Sequence, residues 1–100
     1  MIKHIVMWKL KDTAAGASKA DNIQKITEQL NALVGVVPGL VRVEVGKNFS
    51  ESPAAADLVL YSEIESKEAL PTYQRHPEHV KVAQFIEAVT TDRQVVDYEL

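Results

Sequence analysis

Residues 2–10, IKHIVMWKL, constrain the fold more than any other stretch, because apolar side chains alternate onto both sides of the same segment. This alternation indicates a β-strand, in which successive side chains point to opposite faces. One face carries four apolar residues and one histidine: Ile2, His4, Val6, Trp8 and Leu10. The other face is apolar in its middle, at Ile5 and Met7. We therefore expect a central strand that is covered on both faces.

The rest of the chain alternates between helical and strand periodicity. Apolar residues spaced by three and four predict one helix. Pro77 separates two later helical segments, because proline disfavours helical geometry at the preceding residue, His76, and suits the first position of a helix. The predicted elements are a helix over 18–34, strands over 40–47 and 58–64, a helix over 67–75, a helix from 77 onward, and a last strand over 94–100.

The resulting order, β-α-β-β-α-β, predicts an α+β fold with a ferredoxin-like subunit and an antiparallel sheet. We expect residues 1–100 to form one domain. Helices on one face of the sheet leave the other face exposed, and a chain of this length cannot supply a third layer. A second copy is the expected cover, so the sequence predicts a homodimer.

Composition excludes several classes of function. The net charge is −3 and the 11 lysines and arginines are scattered, which argues against a nucleic-acid partner. The chain has no cysteine, which excludes disulfides and thiolate chemistry. The first twelve residues contain too short an apolar run for a signal peptide or a membrane span, so we expect no membrane partner and a cytoplasmic location.

The segment TYQRHPEHV places Tyr73, His76 and His79 three residues apart, so they project toward one region. His79 falls in the first turn of the helix that Pro77 opens, where backbone amides favour the neutral imidazole that a general base requires. Tyr73 could donate a hydrogen bond to a developing enolate. The alternative is purely structural: His76 caps a helix, His79 is solvated, and Tyr73 packs.

His4 is an independent indication of a functional pocket, since a histidine on an apolar strand face requires a hydrogen-bond partner or a cavity. A satisfied core histidine is the alternative, and Trp8 is then core instead of cavity wall. His4, His76 and His79 could also be combined as metal ligands, with zinc or nickel as the candidates. Nothing in their spacing requires a metal, and we predict neither a metal nor a cofactor.

Four segments together resemble the stress-responsive dimeric α/β-barrel (Dabb) family. They are KHIVMWKLKD at the start, VPGL after the first helix, YQRHPEHV, and the terminal VVDYEL. The resemblance covers essentially the whole chain and implies a ferredoxin-like subunit that pairs sheet to sheet to form a barrel. One branch of the family, the plant polyketide (olivetolic acid) cyclases, closes an aromatic ring by intramolecular aldol condensation.

By that resemblance, His79 would be the base and Tyr73 would assist it, with His76 and His4 in the same pocket. We further expect Val6 and Trp8 from the first strand and Ile26 and Leu30 from the first helix to line the pocket. The cyclases carry bulky aromatic residues on that helix and a histidine where Leu58 stands here. The resemblance therefore implies a different substrate.

We hypothesise a homodimer whose pocket binds a small, largely apolar carbonyl compound and supports acid/base chemistry of a cyclase or isomerase kind. A second hypothesis is a non-catalytic stress or binding protein whose dimer is the functional unit. A third is oxygenation without a cofactor, because related dimeric barrels include small monooxygenases.

Overall fold

A computed structural model describes residues 1–100 and confirms the predicted order of elements. The elements are β1 Ile2–Leu10, β2 Thr13–Ala14, β3 Ala17–Ser18, α1 Lys19–Asn31, β4 Leu40–Lys47, β5 Leu58–Ile64, α2 Ala69–Arg75, α3 Pro77–Val89 and β6 Thr90–Glu99. The short strands β2 and β3 form a separate hairpin that was not predicted. None of the helices has the length and apolar character required to cross a membrane.

The four long strands form one antiparallel sheet in the order β4-β5-β1-β6. This is the ferredoxin-like arrangement that the sequence predicts. The strand β1 lies inside the sheet, between β5 and β6, and its pairing places Ile2 opposite Ile64 and His4 opposite Asp97. An interior position agrees with the apolar residues on both faces of β1.

One face of the sheet packs against the helices and forms the core. The even-numbered residues of β1 are all buried on this face. They meet the apolar stripe of α1, which includes Ile23, Ile26 and Leu30, and the stripe of α3, which includes Val82 and Ile86. Ser18 caps α1, since its hydroxyl accepts a hydrogen bond from the backbone N–H of Asp21 at 3.2 Å.

Three predicted boundaries differ from the structure by two residues or more. The helix α1 ends at Asn31 instead of residue 34, because turns follow that lead to Gly35 at a φ of +85°. The helix α2 begins at Ala69, two residues later than predicted. The strand β6 begins at Thr90, directly after α3, because its exposed polar residues at the sheet edge still pair with β1 although they show no apolar alternation.

The other face of the sheet has no helix over it. It combines the odd-numbered residues of β1 with neighbours on β5 and β6, and we call this set the open face: Lys3, Ile5, Met7, Val59, Tyr61, Glu63, Val96 and Tyr98. Lys3 Nζ lies 2.6 Å from a Glu63 carboxylate oxygen, which also accepts a hydrogen bond from the Tyr61 hydroxyl at 2.7 Å. The open face is therefore apolar around one connected polar group.

A bulge in β4 changes which valines share a face. The pairing with β5 shifts between Leu40 and Arg42, so Val43 lies opposite Ser62 on the helix-covered face and Val41 is displaced and exposed. Simple alternation would place Val41 and Val43 together, and that expectation is wrong. Val43 is partly buried and packs against the core, so it does not belong to the open face.

We expect Ile26→Ala to lower the free energy of unfolding by about 2–5 kcal/mol, because Ile26 is fully buried in the core and the truncation leaves a cavity. Urea unfolding at fixed protein concentration measures the change. Lys25→Ala, at the exposed neighbouring position on α1, is the control and should alter stability little. Equal stabilities for the two variants would contradict this account of the core.

Candidate functional site

A cavity of about 90 Å³ lies between the sheet and the helices α1 and α3. Its apolar walls come from β1, β5 and both helices: Val6, Trp8, Leu30, Leu60, Ala83 and Ile86. Its polar lining consists of His4, Gln74, His79 and Arg93. The cavity is thus an apolar space with two imidazoles, an amide and a guanidinium at its boundary.

His4 reaches this cavity from β1 and is almost completely buried. Its Nδ1 pairs with a carboxylate oxygen of Asp97, the residue directly opposite on β6. Because a carboxylate accepts, this contact places a proton on Nδ1 and leaves Nε2 as the second, uncommitted ring nitrogen. The contact with Asp97 explains how the strand buries a polar ring on an apolar face.

Tyr73 lies behind the two histidines and is fully buried. Its ring centroid is 4.3 Å from that of His79 and 5.9 Å from that of His4, the latter in an edge-to-face arrangement. Its hydroxyl is buried and has no hydrogen-bond partner within the chain. Burial raises the pKa of Tyr73 to about 12, so the hydroxyl keeps its proton at neutral pH and can donate a hydrogen bond.

His79 is half-buried in the first turn of α3, and its Nδ1 lies 3.1 Å from the Gln74 carbonyl oxygen. A carbonyl can only accept, so Nδ1 carries the proton and Nε2 carries the lone pair of the neutral ring. Burial lowers the pKa of His79, the hydrogen bond to the Gln74 carbonyl opposes this, and electrostatic interactions with His4, Arg93 and His76 lower the pKa further. The ring is consequently neutral near pH 7, in the form that can accept a proton.

The remaining predicted site residues divide into two groups. Val6, Trp8 and Leu30 line the cavity, and Trp8 is thereby both core and cavity wall. Ile26 is buried in the core but does not line the cavity. His76 also lies outside it: its Nδ1 accepts the backbone N–H of Glu78 at 3.1 Å and caps α3. His76 thus has the structural role of a helix cap, the alternative given for it above. No three His, Cys, Asp or Glu side chains converge on a shared metal position.

Three polar residues of the site are not predicted from the sequence, nor are the apolar lining residues Leu60, Ala83 and Ile86. Asp97 holds His4, Gln74 holds His79 through its backbone carbonyl, and Arg93 lines the cavity. The strand register was the missing signal for Asp97 and Arg93, since both lie on the helix-covered side of β6, opposite His4 and Trp8. Gln74 contributes a main-chain atom, which no side-chain motif can reveal.

The family model for the stress responsive A/B barrel domain matches residues 2–100. The A/B barrel domain-containing protein DABB1 of Arabidopsis thaliana is 29% identical over 100 residues, covering 98% of this chain and 46% of that protein. A second A/B barrel domain-containing protein of the same plant is 36% identical over 84 residues, covering 84% of this chain and 30% of that protein. The chain thus spans less than half the length of these curated relatives.

Solved structures share the complete fold. A dimeric protein of unknown function with a ferredoxin-like fold from Bacteroides fragilis superposes with a TM-score of 0.86 at 30% identity, covering 99% of this chain and 95% of that one. A hydroxynitrile lyase from Passiflora edulis superposes with a TM-score of 0.81 at 18% identity, covering 97% and 90%. The second likeness concerns the fold alone.

We expect the His79 imidazole to titrate below its ordinary value of about 6.5, since burial lowers its pKa. An NMR titration of the ring measures this, with the urea-unfolded chain as the control. Between the two pKa values the unfolded chain binds more protons, so His79 lowers the free energy of unfolding as the pH falls below about 6.5. A folded-state midpoint at or above that of the unfolded chain would refute the assignment.

Proposed function

Since the chain belongs to the stress responsive A/B barrel domain family, we propose that its cavity binds a small carbonyl compound on which His79 acts as acid and base. The observation that carries this proposal is that His79 and His4 line one cavity, with an uncommitted Nε2 on each imidazole. Tyr73 does not line the cavity, but its buried ring packs against both imidazoles. Fold likeness does not decide the matter, since this architecture occurs both in an enzyme and in proteins of unknown function.

The proposed step is a proton transfer next to a carbonyl. His79 Nε2 takes a proton from the carbon beside the carbonyl group, and the electrons of the broken C–H bond form a C=C bond while the carbonyl oxygen becomes an enolate. Returning the proton to a different atom completes an isomerisation. Attack of the enolate carbon on a second carbonyl instead closes a ring, and the alkoxide formed at that carbonyl takes the proton from His79. The step needs no oxidant or reductant.

Each member of the cluster has a separate part in this proposal. The Gln74 carbonyl fixes the His79 tautomer, so that the basic nitrogen is Nε2. Asp97 fixes His4 in the same way, which leaves a second nitrogen for relaying the proton. Tyr73 packs against both rings, and its protonated hydroxyl is an uncommitted donor within the cluster.

We expect His79→Asn to reduce proton exchange at the carbon beside a carbonyl by about 10²–10⁴-fold, the usual contribution of a general base. The asparagine amide can still donate to the Gln74 carbonyl but has no basic nitrogen. Deuterium uptake into a panel of short ketones and aldehydes, followed by NMR, measures the rate. His76→Asn is the matched control, because His76 lies outside the cavity.

Uptake that is catalysed by the wild type and by His79→Asn alike would show that His79 is not the base. Complete absence of exchange in the wild type over the whole panel would instead favour the second candidate, a binding protein without catalysis. The open face supports that candidate independently, since it offers an extensive apolar surface on the side away from the cavity.

We further propose that the open face is the homodimer interface. The solved relative from Bacteroides fragilis is described as dimeric and shares 30% of its sequence with this chain. Ile5 and Met7 lie at the centre of the open face, and Val96 and Tyr98 on β6 are among the exposed large hydrophobic residues. A second copy would cover these side chains and complete a two-sided burial of β1.

We expect Val96→Asp to produce monomers, because it places a charge in the proposed interface without touching the core of the subunit. Light scattering coupled to size exclusion measures the mass. Val95→Asp is the control at the adjacent position: Val95 is 44% exposed and Val96 is 51% exposed, but Val95 lies opposite Val6 on the other face. A dimer that persists in Val96→Asp would exclude the open face as the interface.

A further inference from the structure

Arg93 brings a permanent positive charge to the edge of the cavity. It lies on β6 opposite Trp8 and lines the cavity together with His4 and His79. None of the seven ion pairs of the chain includes its guanidinium. The guanidinium is therefore available to a bound group.

The cavity contains no acidic residue that could balance this charge. Its polar lining is made of His4, Gln74, His79 and Arg93, none of which carries a carboxylate. The nearest acid along β6 on the same side is Asp97, and its carboxylate is held by His4. The positive charge of Arg93 also contributes to the lowered pKa of His79. Arg93 is exposed and reaches the cavity from its rim, so an anion bound in the cavity would meet a guanidinium and no carboxylate.

The walls and the volume restrict what the remainder of such an anion can be. Val6, Trp8 and Leu60 on the sheet, with Ile86 on α3, present only hydrocarbon and an indole to the cavity. Its volume of about 90 Å³ is smaller than the ~150 Å³ that holds one benzene molecule in an engineered protein cavity. A ligand that fits without displacing the helices therefore has a short carbon chain.

We propose that the ligand of this cavity is a short oxo acid, whose carboxylate pairs with the Arg93 guanidinium while its carbonyl and carbon chain lie between the two histidines and the apolar walls. A guanidinium binds a carboxylate through two parallel hydrogen bonds and so fixes its orientation. This inference deepens the proposed function and rests on it for the carbonyl group. It adds the charge and the size of the ligand, and it names Arg93 as the residue that selects for the charge.

Pyruvate and its uncharged amide, pyruvamide, are matched probes because they differ in charge but hardly in size. We expect the wild type to bind pyruvate about tenfold more tightly than pyruvamide at low ionic strength, and added salt to reduce this preference. Ligand-induced shifts in the amide NMR spectrum measure both affinities. Arg93→Gln should weaken pyruvate binding about tenfold and so abolish the preference.

Arg75→Gln is the control, since Arg75 is an exposed arginine of α2 that does not line the cavity, and it should keep the preference. Equal binding of the two probes, no pyruvate binding at millimolar concentration, or a preference that survives Arg93→Gln would each overturn the inference. Deuterium uptake into the methyl group of the bound probes tests the role of His79 separately. Selective binding with no uptake would retain the oxo acid site and reject the catalytic proposal.

Discussion

The pairing of β1 with β6 is the interaction on which the site depends. The strand β6 starts at Thr90, directly after α3 ends at Val89, so its pairing with β1 also fixes where α3 lies over the sheet. The same register puts Asp97 opposite His4. Without that carboxylate, the buried His4 ring would have an unsatisfied N–H, which would lower the stability of the fold. One strand pairing thus holds α3, and it also supplies the acceptor that allows an imidazole to face the cavity.

The junction between α2 and α3 separates the histidines of the HPEH segment by function. Pro77 occupies the first position of α3, and His76 adopts an extended conformation in which its ring caps the helix. Because its Nδ1 accepts this capping hydrogen bond, His76 has a structural role. His79, one turn further, instead turns its Nδ1 back to the Gln74 carbonyl at the end of α2. The broken helix therefore locks the tautomer of His79 with a main-chain atom and leaves Nε2 free.

The sequence predicts the fold well and the site only in part, for physical reasons that differ between residues. Period-2 and helical patterns report burial, so β1 and the core stripe of α1 could be identified directly. The bulge in β4 breaks the alternation, so the pattern predicts the wrong face for Val41. The first residues of β6 are polar and show no apolar pattern, so the sequence predicts too late a start for that strand. The convergence of His4 with Asp97 requires strand register, a non-local property. Ile26 shares the stripe of Leu30 but faces the core, because helical spacing specifies a side of the helix and not the position of a cavity.

The alternation of β1 also separates the two proposed functions of the subunit. His4, Val6 and Trp8 face the cavity, whereas Ile5 and Met7, between them in sequence, face the opposite side. A ligand in the cavity and a second copy on the open face would therefore contact the same strand without competing for side chains. Coupling between them would have to pass through the backbones of β1, β5 and β6, since each carries residues of both surfaces, and β1 is held on both edges by the other two strands. Such a strand resists displacement, so the free energies of ligand binding and of dimer formation should be largely additive, as for sites that share no contacts.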